Sequence, residues 1–275
     1  MECKASLPLR FLYRTKFGRL VLKILTRPTV SKIGGAFLSS PLSKLMIKRF
    51  IKNNKIDMSQ FETAKYKSYN DFFTRKIIKT ARPIDMNENT LISPCDSRVT
   101  LYNVDENARF FIKGREYSAE QLLGNDTLAK KFSGGVCLVF RLQVDDYHRY
   151  SWFDSGEVVE NYKIGGKLHT VQPIALERYN YYHENAREIT VMNTRNFGVA
   201  VQCEIGALMV GKIVNHKCTK FEKGEEKGYF EFGGSTIALL LSKDVASISE
   251  KITENSKNNI ETQVKLGEKI GEVKL

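Results

Sequence analysis

Residues 229–241 read YFEFGGSTIALLL, and this stretch decides how the chain is expected to fold. The runs 229–232 and 236–242 are rich in aromatic and aliphatic side chains, a composition typical of β-strands. Gly233 and Gly234 between them permit a sharp bend, because glycine reaches backbone conformations that other residues avoid. The stretch therefore predicts two consecutive strands joined at a glycine bend, with Ser235 at the start of the second.

Similar apolar and aromatic runs appear along most of the chain, separated in most cases by Gly, Asn, Asp or Pro. They predict strands at 91–92, 97–103, 108–113, 136–144, 157–164, 168–172, 188–192, 199–204 and 207–214, and a strand, turn and strand over 264–275. Helices are predicted near 69–79 and 118–132. The predicted fold class is α+β: a mainly antiparallel β domain with a few helices, preceded by N-terminal amphipathic helices.

The first fifth of the chain differs from the rest in charge. The protein has 43 Lys and Arg against 31 Asp and Glu, a formal net charge of +12. Residues 1–56 contain 13 of the basic residues and a single acidic one, Glu2, so they carry the whole excess. Residues 9–27 and 42–52 predict helices with one apolar and one basic side, with a loop over 33–41 between them.

These helices have two interpretations. Each could be a surface helix packed on the core with a solvated basic side. Together they also fit a membrane-surface segment, because amphipathic basic helices lie in the interface of anionic membranes. A nucleic-acid partner is not expected, since the apolar stripe would have no role on a duplex. We divide the chain into basic amphipathic helices over 1–56, assigned to a membrane surface, and a β-rich domain over 57–275.

Four residues are candidates for chemistry. Ser235 lies in the glycine bend, His148 follows an apolar strand beside two carboxylates, Asp96 lies in a polar turn, and His169 alternates with apolar neighbours. Each has a plainer interpretation as a bend, a structural histidine, a turn residue or a half-buried strand residue. The spacing of cysteines and histidines predicts no metal site.

Taken together in this order, six segments resemble the phosphatidylserine decarboxylase family, pyruvoyl-dependent enzymes that make their own cofactor. The resemblance covers about residue 69 to the end. The segments are FFTRKIIKTARPID (72–85), LISPCDSRV (91–99), DYHRY (146–150), GKLHTVQPIAL (166–176), NFGVAVQCEIGALMVGKI (196–213) and KGEEKGYFEFGGSTIALLL (223–241).

The resemblance implies that the chain cuts itself between Gly234 and Ser235. The Ser235 hydroxyl would attack the Gly234 carbonyl, and β-elimination would leave a large chain of residues 1–234 and a small chain of 235–275. Ser235 would become a pyruvoyl group, whose carbonyl takes up the substrate amine and then the electrons released with CO2. The implied substrate is phosphatidylserine and the implied products are phosphatidylethanolamine and CO2.

The family pattern also suggests roles for other residues, and here the sequence departs from it. Asp96 matches the aspartate of the self-cleavage triad, and His148 matches the histidine linked to decarboxylation. The second histidine of the family's Y-H-R-x-H pattern is Ser151 in this chain. Three possibilities follow: His169 replaces it as the base for Ser235, which we prefer; His148 serves both steps; or cleavage is slow or lost.

The resemblance leaves two other functions open. One is a decarboxylase of a soluble amino acid with the same pyruvoyl chemistry, and the other is a non-processed homologue that acts as a binding protein. For the leading function we expect a peripheral protein on the cytoplasmic face of the cell membrane. Its expected partners are anionic phospholipid, the two chains of one precursor and, as an open alternative, a second copy in a homodimer.

Overall fold

The computed structural model describes residues 7–112, 115–170, 173–176, 181–207, 212–232 and 235–274. These residues form ten α-helices, three short 3-10 turns and sixteen strands. The helices are α1 (Leu7–Arg14), α2 (Lys16–Leu25), α3 (Pro28–Leu38), α4 (Leu45–Asn54), α5 (Tyr69–Phe73), α6 (Ala119–Leu123), α7 (Asp126–Lys130), α8 (Pro173–Leu176), α9 (Tyr181–Glu184) and α10 (Glu250–Lys257).

The strands make the larger part of the core. They are β1 (Thr90–Ile92), β2 (Ser97–Asn103), β3 (Arg109–Ile112), β4 (Arg115–Ser118), β5 (Val136–Leu142), β6 (Arg149–Ser151), β7 (Gly156–Ile164), β8 (Arg187–Thr194), β9 (Gly198–Ile205), β10 (Ile213–Asn215), β11 (Lys220–Phe221), β12 (Glu226–Phe230), β13 (Ser235–Leu241), β14 (Ala246–Ile248), β15 (Thr262–Val264) and β16 (Lys269–Val273). The predicted α+β class, with antiparallel sheets after N-terminal helices, is confirmed.

The main sheet is antiparallel and eight-stranded, in the order β11-β7-β8-β9-β13-β5-β2-β15. Every residue of β13 is buried, and the strand lies between β9 and β5 in the middle of the sheet. An almost unbroken apolar run suits such a position, since neither side of the strand faces water. The predicted strand at 236–242 is therefore confirmed, with its first residue at Ser235.

The segment with the predicted glycine bend connects two different sheets, while Gly233 and Gly234 themselves lie outside the described residues. Strand β12 belongs to a three-stranded sheet in the order β10-β12-β6, and β13 belongs to the main sheet. The chain therefore leaves one sheet at Phe230 and enters the next at Ser235. The remaining strands form a sheet in the order β1-β16-β14 and the β3-β4 hairpin.

The N-terminal segment is helical, but its divisions differ from those predicted. The predicted helix over 9–27 is two helices, because the Thr15 side chain accepts a hydrogen bond from the Gly18 N–H and begins α2. The predicted loop at 33–41 is wrong over most of its length, since α3 begins at Pro28 and continues to Leu38. Proline suits the first turn of a helix, where its missing N–H costs no hydrogen bond.

Two other predicted elements are wrong in extent. The single helix over 118–132 is two helices, α6 and α7, because Gly124 adopts a left-handed conformation with φ of 65°. The helix over 69–79 ends at Phe73.

The predicted strand over 168–172 is also wrong as far as it is described. Residues 168–170 are irregular, while 171 and 172 lie outside the described residues. Two backbone N–H groups of this segment donate to N-terminal helices instead of a strand: Leu168 to the Thr26 carbonyl and Thr170 to the Tyr13 hydroxyl. Of the predicted strand 207–214, β10 forms only the end, and 208–211 lie outside the described residues.

The N-terminal helices contact the main core at a few buried side chains. Tyr13 of α1 and Leu22 of α2 are each 1% exposed and belong to the central apolar cluster. The division into 1–56 and 57–275 stays a prediction. Across the described ranges, the helices are too short or too polar for any of them to cross a bilayer.

Candidate active site

Ser235 is the first residue of β13. Its side chain is fully buried, and it is opposite Leu142 of β5 in the sheet register. The hydroxyl oxygens of Ser235 and Thr236 have no hydrogen-bond partner among the described residues. A buried hydroxyl without a partner costs stability, which makes Ser235 a candidate for a functional role. Gly234, the other half of the predicted cleavage site, lies outside the described residues.

Helix α5 holds the residue that precedes the bend. The backbone N–H of Phe232 donates to the Asn70 side-chain oxygen at 3.0 Å, and the Phe232 ring packs against Tyr69 and Phe73 at 5.1 and 5.2 Å between ring centroids. The helix forms here because the Ser68 side chain caps its N-terminus, accepting from the Asp71 N–H. The FFTR segment thus forms an apolar wall against Phe232, three residues before Ser235.

His148 lies against this wall. Its ring is fully buried and packs on Phe73 at 4.2 Å between centroids, and its carbonyl accepts the Phe230 N–H. Nδ1 of His148 lies 2.9 Å from the carbonyl oxygen of Asp146. Because a carbonyl can only accept, Nδ1 carries the proton and Nε2 is the basic nitrogen. Phe73 contacts both His148 and Phe232, so His148 lies next to the bend.

Asp96 comes just before β2, which is two strands away from β13 in the main sheet and begins at the same end of it. Arg98 of β2 and Thr236 of β13 both pair with Arg141 of the intervening strand β5. Asp96 comes two residues before Arg98, so it lies at the end of the sheet where β13 begins. Neighbouring strands are about 4.8 Å apart, so the two backbones are separated by about 10 Å.

The Asp96 carboxylate is held by cations and not by a histidine. Arg82 donates to it through Nε at 2.8 Å and Nη2 at 2.5 Å, Leu266 donates its N–H, and Lys265 Nζ lies 3.4 Å away. Burial by itself would raise the pKa of Asp96, but these hydrogen bonds and charges lower the pKa overall. Among the described residues no hydrogen bond or ion pair joins Asp96 to His148 or His169.

His169 lies on the other side of β13. Its backbone N–H donates to Asn185, and the Asn185 amide donates in turn to the carbonyls of His169 and Gly206. Gly206 directly follows Ile205, which pairs with Thr236 beside Ser235. The structure thus brings Asp96 and His169 to the same end of the sheet but on opposite sides of Ser235.

The His169 ring has its own buried surroundings. Nδ1 lies 3.4 Å from the Tyr13 hydroxyl, and Nε2 lies 4.0 Å from a Glu184 carboxylate oxygen. Burial lowers the pKa of His169 to about 4, although the nearby Glu184 carboxylate acts in the opposite direction. The imidazole is therefore neutral at pH 7, which is the form able to accept a proton.

Ser151 lies beside the turn that carries Asp96. Its N–H donates to the Pro94 carbonyl at 2.8 Å. Its hydroxyl and that of Ser97 are buried without a hydrogen-bond partner in the described part of the chain. The position where the resemblance expects a histidine is therefore close to the Asp96 turn, with a serine hydroxyl there.

Three nearby residues were not predicted from the sequence: Arg82, Tyr13 and Arg75. Arg82 belongs to the segment FFTRKIIKTARPID (72–85), one of the six that carry the resemblance, and that membership is the signal that could have identified it. The contacts of Tyr13 join positions more than 150 residues apart, which no local pattern reveals. Among the described residues, no group of three or more His, Cys, Asp or Glu side chains is placed to hold a metal ion.

Comparison with known proteins gives a family. The family model described as "Phosphatidylserine decarboxylase" matches residues 69–272. The chain belongs to the phosphatidylserine decarboxylase family. It is 48% identical over 265 residues to "Phosphatidylserine decarboxylase proenzyme 2" of Clostridium acetobutylicum, covering 96% of this chain and 91% of that protein.

Other members of the phosphatidylserine decarboxylase family are similar over the same length. A "Phosphatidylserine decarboxylase proenzyme" of Clostridium perfringens is 41% identical over 266 residues, covering 94% of this chain and 90% of the relative. One of Fusobacterium nucleatum is 40% identical over 273 residues, covering 97% and 91%. The similarity thus extends through the basic N-terminal helices as well as the β-rich part.

Proposed function

We propose that this chain is a proenzyme that cleaves itself and then decarboxylates phosphatidylserine to phosphatidylethanolamine and CO2. The observation that carries the proposal is Ser235, which has a buried hydroxyl without a hydrogen-bond partner in the described residues. It is the first residue of the strand where the chain enters the main sheet, in a chain that belongs to this family. His148, Asp96 and His169 reach the same end of the sheet from three directions.

In the proposed maturation, the Ser235 hydroxyl attacks the Gly234 carbonyl and the peptide bond becomes an ester. β-Elimination then breaks the Cβ–O bond of residue 235 and releases the carboxylate of Gly234. Hydrolysis of the resulting dehydroalanine releases ammonia and leaves a pyruvoyl group at the start of the 235–275 chain. Full burial of the Ser235 side chain supports this order of events, because it keeps water from the ester before elimination.

For the base in maturation we keep His169. Two observations support it: the imidazole is neutral at pH 7, and Asn185 links its backbone to Gly206 beside the Ser235 end of β13. Asp96 belongs to the same proposal, but its ion pair with Arg82 supports an electrostatic role at this edge of the sheet and not a direct hydrogen bond to His169.

When formed, the pyruvoyl group supplies an electrophilic carbonyl that accepts the electron pair left by CO2. The chain's own contribution is to exclude water and to hold a proton. Phe73 and Phe232 provide an apolar wall, and His148 carries its proton on Nδ1, so Nε2 is the nitrogen that would take up and return another. We assign His148 to proton transfer during turnover.

We also propose that the N-terminal helices bind the protein peripherally to an anionic membrane, on its cytoplasmic face. Among the residues whose burial is described, ten of the fourteen exposed large apolar side chains lie within residues 7–46. They are Leu7, Phe11, Phe17, Leu20, Ile24, Ile33, Phe37, Leu42, Leu45 and Met46. Exposed apolar side chains among many lysines and arginines are the features that interfacial helices use.

Release of CO2 from defined substrates tests the function. The purified protein is incubated with vesicles containing phosphatidylserine, and in parallel with soluble amino acids. We expect CO2 only from the vesicles, none from Ser235→Ala, and slow release from a self-cleaved His148→Ala. Release from a soluble amino acid alone would indicate the alternative decarboxylase. An intact chain that releases no CO2 from any substrate would contradict an enzymatic function.

A further inference from the structure

Arg75 is a buried cation with almost no hydrogen bonding. Its side chain is in the core, 3% exposed, and its one side-chain hydrogen bond within the described residues runs from Nη1 to the Phe72 carbonyl at 3.4 Å. Nε and Nη2 have no hydrogen-bond partner among the described residues. A desolvated guanidinium without a counter-ion destabilises a fold, so its retention calls for a reason other than stability.

Another buried arginine of the chain, Arg187, has hydrogen-bond acceptors for all three of its side-chain nitrogens. Arg187, 5% exposed, uses Nε, Nη1 and Nη2 to donate to four backbone carbonyls, those of Leu122, His183, Asn185 and Gln121. The fold can therefore satisfy a buried guanidinium fully. At Arg75 it leaves two donors in the orientation that matches the oxygens of a phosphate or carboxylate.

The surroundings of Arg75 are aromatic. Its guanidinium carbon lies 4.2 Å from the ring centroid of Phe61 and 4.8 Å from that of Phe72. The Tyr66 ring also packs on Phe72, at 5.2 Å, and the Tyr66 hydroxyl is buried without a partner among the described residues. Burial lowers the pKa of Arg75 to about 10, so it stays charged at pH 7. The Arg75 guanidinium and the Tyr66 ring thus pack against the same Phe72 ring, and we call this group of aromatic side chains the apolar enclosure.

This enclosure adjoins the candidate active site. Arg75 is two residues from Phe73, whose ring contacts His148. Arg149 donates to the Thr74 carbonyl at 2.8 Å, and Ile77 donates its N–H to the Tyr147 hydroxyl at 3.3 Å. The segment 73–77 therefore runs alongside 147–149.

A surface cleft lies beside the Phe61 ring, although Arg75 is not among its lining residues. Phe61, which stacks on Arg75, and Tyr147 line a cleft of about 230 Å³ that also contains Asp96.

We propose that Arg75, assisted by the Tyr66 hydroxyl, binds the phosphodiester anion of the phospholipid headgroup. This rests on the proposed function. The substrate has two anionic groups, a carboxylate that the reaction removes and a phosphodiester that it leaves unchanged. A cation on the carboxylate would stabilise the ground state and slow the loss of CO2, whereas the phosphodiester keeps its charge throughout. A charged hydrogen-bonding pair in an apolar enclosure is stronger than in water, which favours tight headgroup binding.

Binding is measured first on an inactive precursor, so that it does not depend on catalysis. Ser235→Ala is heated with and without water-soluble dihexanoyl phosphatidylserine. We expect the lipid to raise the unfolding midpoint, and the rise to be absent in Ser235→Ala/Arg75→Met. Without lipid, Arg75→Met has the same midpoint or a higher one, because it removes an unpaired buried charge. A lipid effect that persists with methionine at position 75 overturns the proposal.

The active protein gives a second measurement. Arg75→Met raises the KM for dihexanoyl phosphatidylserine about ten- to one-hundredfold, with a smaller change in kcat, and Tyr66→Phe raises the KM severalfold. Tyr162→Phe is the matched control: its hydroxyl donates to the Leu123 carbonyl at 2.7 Å, so its loss lowers the midpoint but leaves the KM unchanged. An unchanged KM in an Arg75→Met protein that still cleaves itself overturns the assignment and leaves the proposed function standing.

Inorganic phosphate distinguishes a headgroup site from a general phosphate site. At the same concentration as the lipid, we expect it to change the midpoint of Ser235→Ala much less. An equal rise that Arg75→Met abolishes would overturn the headgroup assignment. If the wild-type protein neither cleaves itself nor releases CO2, the proposed function fails, and the lipid effect on Ser235→Ala still decides the role of Arg75.

Discussion

The phenolic oxygen of Tyr13 lies 3.4 Å from Nδ1 of His169 and accepts a hydrogen bond from the Thr170 backbone N–H at 2.9 Å. Tyr13 belongs to α1, a helix whose other side carries exposed Leu7 and Phe11. A helix proposed to bind the membrane therefore contacts the segment that carries the proposed base. Leu168 adds a second such contact through the Thr26 carbonyl after α2.

Tyr13→Phe should slow self-cleavage without unfolding the protein. The ring stays in the core, but the Thr170 N–H loses its acceptor and His169 loses a contact that orients it. We expect a loss of about 1 kcal/mol in unfolding free energy, typical of one buried hydrogen bond. The time course of cleavage, followed by denaturing gel electrophoresis, should be slower than that of Tyr162→Phe, which loses a comparable hydrogen bond elsewhere. Equal rates would remove Tyr13 from maturation.

Stability should fall in acid because of His169. Burial lowers its folded pKa to about 4 from an ordinary value of 6.5, so the folded state binds fewer protons than the unfolded state between these values. Its stabilising contribution is complete above pH 6.5 and is lost as the pH falls toward 4.

The measurement compares unfolding free energies of Ser235→Ala and Ser235→Ala/His169→Gln from pH 7.5 to 4. As the pH falls from 7.5 to 4, the unfolding free energy of Ser235→Ala should drop by on the order of 3 kcal/mol relative to that of Ser235→Ala/His169→Gln. Asp146, whose pKa burial raises to about 6, is present in both proteins and cancels. A pH-independent difference would show that His169 titrates normally in the folded protein.

The buried Lys227–Glu204 ion pair gives a prediction about the fold. The two side chains are 1% and 0% exposed and lie 2.8 Å apart, with Asn215 bonded to both. Lys227→Met leaves the Glu204 carboxylate buried without its cation, so the unfolding free energy should fall by about 3–5 kcal/mol. Adding Glu204→Gln should recover most of this loss. Urea denaturation of both variants checks it, and a mild loss in the single variant would contradict the account.

Membrane binding should depend on the apolar side of α2. Phe17→Glu/Leu20→Glu places two carboxylates on a surface that is 67% and 59% exposed, so the fold is preserved while the apolar contact is lost. We expect the variant to stay in the supernatant after sedimentation with anionic vesicles, whereas wild type sediments. Val159→Glu, at an exposed apolar position on β7, is the control and should sediment like wild type. Equal sedimentation of all three proteins would contradict the proposal.

The buried strands could be predicted from the sequence because their composition leaves little choice. Residues 97–103 form β2 with the predicted bounds, and β13 begins one residue before its predicted start. Local rules failed where distant groups decide the conformation. Residues 168–170 alternate like a strand, yet the Leu168 N–H donates to the Thr26 carbonyl after α2 and the Thr170 N–H donates to the Tyr13 hydroxyl.

The candidate site shows the same limit. Ser235 could be singled out from the motif and the bend, and the structure describes it as buried at the junction of two sheets. The partner of Asp96 could not be predicted, because ion pairing with Arg82 depends on how the 82 and 96 loops meet. The unpaired donors of Arg75 were equally hidden, since pairing and burial are properties of the assembled fold.

Mass spectrometry of the purified full-length protein tests the central claim most directly. Self-cleavage at Ser235 predicts two chains, residues 1–234 and a 41-residue chain of 235–275. The mass of the short chain should show a pyruvoyl group in place of its first serine, and Ser235→Ala should remain a single chain of 275 residues. A wild-type protein that stays intact, with an unmodified Ser235, would contradict the account.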